Sequence, residues 1–412
     1  MAISPKDKSI LRGLAQRLAD IAALPIQKER AELWRRLNRL ERVRPMVQLH
    51  NATWHETGHV IQLECEDKFA REQEWGIRAT LFQAENIKDD TVFEAKVHSP
   101  IFVRDQGWGI TTNATVPDHV FGARHYNCVI PDGADPETMI PMAEVTLDPQ
   151  ATEERFQLLS DLYGGILAVE KAGVRGHWFA LMDEFIQWRG LDQAFLDMAD
   201  NPKWLHSWLE RMCQWQLSRL DQYERLGALS LNNGNHNVGS GGLGFTDELP
   251  AKGFDGVHVR AKDQWGHATT QIFSLVSPAM HQEFGLDYEK RFLARFGLSN
   301  YGCCEPLDKK VDLIKRNLPN LRRLSMSPWV DAATGAEAIG RSLIFSWKPN
   351  PATLGIEPWD RDFIHRFLRD ALEKTRGCVV EIIMKDLHTV RNEPQRMGEW
   401  ADIAMQLAEE YA

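Results

Sequence analysis

The chain has 412 residues, of which 43% are hydrophobic and 26% charged, and a formal net charge of −10. That length suits two average domains or one large α/β barrel, with no shortage of core-forming residues. The acidic balance, without any Lys/Arg-rich stripe, argues against nucleic acid as the partner. The start lacks an apolar signal core and no run approaches the ~18 apolar residues of a membrane span, so a cytoplasmic protein with no membrane contact is expected.

Residues 5 to 42 read as helix, with Leu11, Leu14, Leu18, Ile21 and Leu24 at three- and four-residue spacing. "RPMVQLH" (44–50) reads as a buried strand, and "EDKFAREQEWGIRATLFQ" as the next helix. "TVFEAKVHSPIFVRD" has strand composition, interrupted by Pro100. The Gly-, Pro-, Asp- and Asn-rich stretch from 105 to 150 reads as a long loop or small β excursion, a length at which loops are usually functional or lid-like. Helices follow at about 154–172, 191–198 and 202–226, then strand candidates "GALSLNN" and "GHATTQIF". From there strands and helices alternate to the end: "SPAMHQEFGLDYEKRFLARF" (helix), "SNYGCC" (strand), "DKKVDLIKRNL" (helix), "RRLSMSP" (strand), "AATGAEAIG" (helix), "SLIFSW" (strand), "WDRDFIHRFLRDALEKT" (helix), "CVVEIIMK" (strand) and a closing helix. Sustained alternation implies a parallel sheet covered by helices. The near-continuous apolar runs of the last strands fit a sheet buried on both faces. About eight such units fit a closed (β/α)8 TIM barrel better than an open sheet.

Active sites of such barrels lie at the C-terminal strand ends, and polar residues gather there in this sequence. "LSL" runs into Asn232, Asn233, His236 and Asn237; "SNYG" into Cys303, Cys304 and Glu305; "RRLSMSPW" into Ser327, Trp329 and Asp331; "SLIFSW" into Lys348; and "VVEIIM" into Lys385, Asp386, His388 and Thr389. Gly239, Gly241 and Gly244 match G-x-G-x-x-G by spacing, but no strand leads tightly into them and no helix follows, which excludes a dinucleotide fingerprint. A loop turning backbone N–H groups to an anion, or a merely flexible loop, are the remaining readings. His55 and His59 are four apart, as in a helical metal pair, but Gly58 weakens the helix between them. On extended chain Asp386 and His388 share a face, as do Tyr301, Cys303 and Glu305, with Cys304 opposite. Adjacent cysteines bridge only through a strained ring, so a structural disulfide within the pair is not expected. The scatter of the other four cysteines suits a reducing compartment. A thiolate and a carboxylate with a histidine from another strand make a plausible zinc site, and a buried free cysteine beside a satisfied glutamate is the plainer alternative.

Four pieces, "MDEFIQWRGLDQAFLDMADNPKWLHSWLERM", "SPAMHQEFGLDYEKRFLARFGLSNYGCCEPLDKK", "LPNLRRLSMSPWVD" and "VVEIIMKDLHTV", resemble the uroporphyrinogen decarboxylase-like superfamily across roughly residues 150 to 405. The resemblance implies one (β/α)8 barrel domain over 1–412, with a helical extension at 1–42 and an insertion or lid at 100–150. The porphyrinogen decarboxylases carry a signature like "RQAGRYLPEY", whereas the first strand here ends in "HNATWHE". The resemblance therefore implies the corrinoid-dependent methyltransferase branch. Such enzymes move a methyl group from a small methylated substrate, of the methyl ether or methylamine type, to the cobalt of a corrinoid (cobalamin) protein. No D-x-H-x-x-G motif is present, so the corrinoid belongs to a separate partner. Many use zinc held by a His-x-Cys pair and a ligand near the last strand. Here the pair reads Tyr301-Gly302-Cys303, and the implied zinc ligands are Cys303, Glu305 and His388. The alternative is a metal-free site with Tyr301 and Asp386 doing proton chemistry and His236 as a further catalytic candidate. Asn233, Trp265, Trp329, Asp331 and Lys385 are the expected substrate contacts. A homodimer is common among related barrels, and a metal-free decarboxylase of an aromatic or pyrrolic acid is the competing function.

Overall fold

The computed structural model describes residues 3–117, 122–318 and 320–412. The predicted N-terminal helix is two helices, Pro5–Ala22 and Pro25–Asn38. Pro25 lacks an N–H but suits a first helical turn, so it ends one helix by starting another. Leu11, Leu14 and Leu18 of the first helix bury against Leu81, Leu159 and Tyr163.

The strands in chain order are β1 (Met46–Leu49), β2 (Lys96–Pro100), the short β3 (Val103–Asp105), β4 (Asn113–Thr115), β5 (His125–Asn127) and β6 (Val145–Leu147), then β7 (Ala168–Ala172), β8 (Trp265–Ala268), β9 (Leu298–Tyr301), β10 (Leu321–Met326), β11 (Ile344–Trp347) and β12 (Val379–Met384). Six of them form one all-parallel sheet in the order β1-β12-β11-β10-β9-β8. A parallel bridge from Phe179 to Ala268 extends its β8 edge. β2 and β7 make a separate parallel pair, and Val174 bridges to Leu229. Among the described residues no ladder joins β1 to β2, so the hydrogen bonding defines a parallel α/β sheet without a closed ring. The 100–150 insertion contains two antiparallel pairs, β3 with β6 and β4 with β5; its residues 118–121 lie outside the described residues. No helix among the described residues is long and apolar enough to cross a membrane.

One expected element changes type. The helix predicted over 154–172 runs from Pro149 to Tyr163 and stops at Gly164 and Gly165, the latter at φ +83°. Residues 168–172 then become β7. A glycine at positive φ ends a helix at no steric cost, and the apolar residues beyond it serve a strand as well as a helix.

The two faces of the six-stranded sheet have different partners, because alternate residues point to opposite sides. Val47, Leu49, Leu324, Met326, Phe345, Trp347, Val380, Ile382 and Met384 bury among the covering helices. On the other face Met46, Ile344, Val379 and Ile383 bury against Trp34, Leu37, Leu243 and Phe245. The second N-terminal helix thus closes one end of this face. The glycine-rich segment fills it. Asn38 Nδ2 donates to the Leu243 and Phe245 carbonyls at 2.9 and 2.8 Å. Arg323 Nη1 donates to the Gly242 carbonyl at 3.0 Å, and Trp265 Nε1 to that of Gly244 at 2.9 Å. The glycines are there because side chains from the sheet and from the second helix come so close. A Cβ on Gly241 would meet Arg323 Cδ at 2.4 Å, and one on Gly242 would meet the Trp34 ring at 2.4 Å. Neither the anion loop nor the flexible loop describes this segment; it is an ordered filling of the sheet's inner face. Gly242→Ala is expected to cost about 1–3 kcal/mol of unfolding free energy through overpacking, read as a lower urea midpoint at unchanged m-value.

Candidate active site

The C-terminal ends of β1, β9, β11 and β12 bring together His50, Cys303, Lys348 and Lys385. The ladder carries on past the strands to position them: the Lys348 N–H donates to the Met326 carbonyl and that of His50 to Met384, each at 2.8 Å. Lys385 Nζ lies 3.4 Å from Cys303 Sγ and 2.8 Å from Asp386 Oδ2. Lys348 Nζ donates to the Ser346 carbonyl at 3.0 Å and to its Oγ at 2.5 Å. Ser346 Oγ in turn donates to Glu381, which pairs with Arg323 at 3.2 Å and accepts the Gly242 N–H at 3.1 Å. Lys348 at the edge is therefore tied through Ser346 to a buried ion pair in the interior.

Electrostatics divide these groups by role. Burial pushes Lys348 down to about 7, so near neutral pH it is both a usable acid and a charge. Burial works against Lys385 too, but the Cys303 thiolate and Asp386 raise it above an ordinary lysine. The hydrogen bond from Cys304 lowers the Cys303 thiol; burial opposes this and the Lys385 ammonium adds to it. His50 is held down to about 4 by burial and then by Lys385, and His267 to about 3 by burial and then Lys348, so both rings are neutral. Asn237 Nδ2 lies 2.8 Å from Gln48 Oε1 and 3.3 Å from His50 Nε2. Asn300 Nδ2 donates to His267 Nδ1 at 3.0 Å, which leaves the proton on Nε2, a buried atom without a protein partner. The Trp178 ring tilts over His267 at 4.5 Å and is half-exposed.

The residues expected from sequence scatter around this cluster. Lys385 and Cys303 lie in it, and Asp386 stands at its exposed rim at φ +58°. Tyr301 does not face it. The strand ends at Tyr301 and Gly302 takes φ +86°, so the expected alternation through residue 305 breaks there. Tyr301 points into the helix layer, where its hydroxyl lies 2.7 Å from both Glu289 Oε2 and His281 Nε2. Lys310 Nζ meets His281 Nδ1 at 3.1 Å, and Thr270 Oγ1 donates to Glu289 at 2.6 Å. The donors run in order: Lys310 to His281, His281 to Tyr301, and Tyr301 to Glu289. Tyr301→Phe leaves buried groups unpaired and is expected to cost about 1–3 kcal/mol of stability, with turnover of the folded protein nearly unchanged. Thermal unfolding beside a rate measurement separates the two.

Glu305 is also committed elsewhere. Its Oε2 accepts the Cys303 N–H at 2.8 Å, and its Oε1 accepts Thr269 Oγ1 at 2.8 Å and the Thr270 N–H at 3.3 Å. His388 is exposed. Among the described residues no group of three or more His, Cys, Asp or Glu is placed to hold a metal. Cys303, Glu305 and His388 therefore do not fit a zinc ion, and the Lys385 ammonium on the Cys303 sulfur disfavours a dication there.

His236 packs near Gly176, on the β7 side, and is held down to about 4 by burial and then by Arg175. Asn233 Nδ2 secures its own loop through the Leu249 carbonyl at 2.6 Å. Trp265 is buried in the sheet's inner face with Arg323 over its ring at 5.4 Å. Asp331 caps the helix Ala332–Ile339 through the Thr334 N–H, and Trp329 is 72% exposed. Sequence reasoning did not commit to His50, His267 or Lys348, although Lys348 directly follows a strand and His50 ends "VQLH". An open groove of about 640 Å³ lined by Arg17, Phe82 and Glu399 shares no residue with the cluster.

No family model matches the chain, and no curated protein matches it. Among solved structures, a methyltransferase from Methanosarcina mazei is similar at 12% identity and a TM-score of 0.47, over 90% of this chain and 97% of that one. At that score the likeness carries no inference about chemistry.

Proposed function

We propose that this chain is a methyltransferase of the corrinoid-dependent kind, taking the methyl group from a small methyl ether or methylamine. The observation that carries the reading is the Lys348–Cys303–Lys385 cluster at the C-terminal ends of parallel strands, where such barrels keep their chemistry. In this reading the six-stranded sheet and the β2–β7 pair are parts of one (β/α)8 barrel. The corrinoid of a separate partner protein would supply the nucleophile that accepts the methyl group. The chain's own residues do the rest. Lys348 and Lys385 put positive charge where the leaving heteroatom becomes negative, and Lys348 can then give that atom a proton. Preorganised charge of this kind is usually the largest contribution to rate. It takes the place that the resemblance assigned to zinc. The Trp178 face and the neutral His267 would hold the substrate's body.

A decarboxylase is the second reading, favoured by one observation: the same two amines suit a carboxylate. The two readings are separated by incubating the chain with candidate substrates, with and without a reduced corrinoid protein. Methyl transfer that needs the corrinoid, with less than about a tenth of an equivalent of zinc in the purified protein, is expected. CO₂ release from the isolated chain would replace the first reading with the second. A full equivalent of zinc lost in Cys303→Ala would restore the metal.

A further inference from the structure

Cys303 and Cys304 are adjacent, yet their sulfurs meet at 3.5 Å instead of pointing to opposite faces. The cause is the end of β9 at Tyr301 and the positive φ of Gly302, which takes both residues out of the extended alternation. Nothing in the methyl-transfer reading uses Cys304. Its side chain is half-buried, and that of Cys303 is 3% exposed just behind it. Cys65, Cys213 and Cys378 are buried and Cys128 is exposed, all as free thiols. The separation is too long for an S–S bond of about 2.05 Å, and closing it would demand the strained ring of adjacent cysteines. It does suit two sulfurs bonded to one shared atom: bonds of about 2.3 Å meeting at about 100° place their sulfurs roughly 3.5 Å apart.

The surroundings narrow the choice of that atom. Of the neighbouring carboxylates, Glu305 is turned onto the Cys303 N–H and the two threonines, and Asp386 onto the Lys385 ammonium. No third His, Cys, Asp or Glu joins the pair among the described residues. Zinc or cadmium, which fill four positions, therefore finds half a shell here. Mercury(II) binds two thiolates in a line and needs them farther apart. A trivalent centre that already carries one organic substituent needs two sulfurs and nothing more.

We propose that Cys303 and Cys304 form a two-sulfur chelate for monosubstituted trivalent arsenicals and chemically similar thiophilic centres. The bonding step is a condensation. Each thiol loses its proton, each sulfur forms one bond to arsenic, and the two hydroxyls of the arsenical leave with those protons as two waters. Arsenic stays trivalent, so no oxidant or reductant takes part. The substituent points away from the sulfurs, beside Lys385, so an occupied chelate also obstructs the substrate's approach.

The test uses the full chain, reduced with a phosphine, and phenylarsine oxide as the probe. Intact-mass analysis is expected to show one phenylarsenic unit per chain, with two titratable thiols lost. A dithiol such as 2,3-dimercaptopropanol should reverse this, and excess monothiol should not. Cys303→Ser and Cys304→Ser, each checked for folding by circular dichroism, should weaken retention at least a hundredfold, because a chelate becomes a single bond. Cys128→Ser should leave it unchanged. Retention that survives either single serine variant, or an adduct that a monothiol removes from the native chain, would overturn the proposal. Because mass and thiol count are the readouts, a negative result leaves the methyl-transfer reading untouched, and a failed methyl-transfer assay leaves the chelate untouched.

Discussion

Replacing Lys348 by methionine is expected to lower the rate of product formation about 10²–10³-fold, the usual loss when one preorganised charge is removed. Methionine keeps the length and apolar body of the side chain, so the fold should survive. The pH dependence gives the stronger check. Burial holds Lys348 at about 7, so the native protein loses this charge as pH rises through 7, and the rate should fall with it. In Lys348→Arg the charge persists and that alkaline limb should move upward. In Lys348→Met the limb should vanish with the activity. Stability runs the other way. Between about 7 and 10.5 the unfolded chain holds the proton and the native one does not, so this group makes the native state more stable as pH rises through that window. Below about 7 both states are protonated and the cost of the buried ammonium is fully present. The methionine variant should lack that rise, measured by urea unfolding at pH 6.5 and 9.5. A rate that keeps its alkaline limb in Lys348→Met would sink the assignment of this residue.

Replacing Glu381 by alanine is expected to cost about 3–5 kcal/mol of stability, the range found when one partner of a buried ion pair is removed. Arg323 and Glu381 are both fully buried. Arg323 also holds Asn38 Oδ1 at 2.7 Å and the Gly242 and Leu243 carbonyls. Without Glu381 its charge stays in the interior with only neutral acceptors. The Gly242 N–H and the Ser346 hydroxyl lose their acceptor in the same step. Lys348 depends on Ser346, so the damage should reach the sheet edge as well, and the rate limb at about 7 should shift. Changing both partners together, Arg323→Met with Glu381→Leu, should restore part of the stability, because no unpaired charge remains. A double variant as unstable as Glu381→Ala alone would show that the hydrogen bonds, not the charge, set the cost.

These two residues show where sequence reading stops. Arg323 follows Arg322 in "LRRLSM", and Glu381 sits between apolar residues in "VVEIIM"; both are charged residues inside a strand. Such a pattern says that a charge is buried, but not that the two strands are joined through β11 in register, with Arg323 opposite Ile344 and Ser346 opposite Glu381. The glycine spacing at 239, 241 and 244 was legible only as an anion-facing or a flexible loop. That Gly239 packs on His267 and Gly241 on Arg323, drawn from two distant segments, was not legible there.

The sequence alone determined the alternation of strands and helices from about residue 260 onward. Hydrophobic period and turn residues are local properties, and they survive any arrangement of the rest. It also placed polar residues at the C-terminal strand ends, because a parallel strand buried on both faces can become polar only where it leaves the sheet. Tertiary structure decided which of those residues meet. Strand register turned Tyr301 into the helix layer beside Leu324, and one glycine at φ +86° after it set Cys303 against Cys304. One proton's affinity at Lys348 depends on burial by segments far away in the chain. Side-chain direction past a strand end and the dielectric around an amine arise from contacts between distant segments, and no local pattern encodes them.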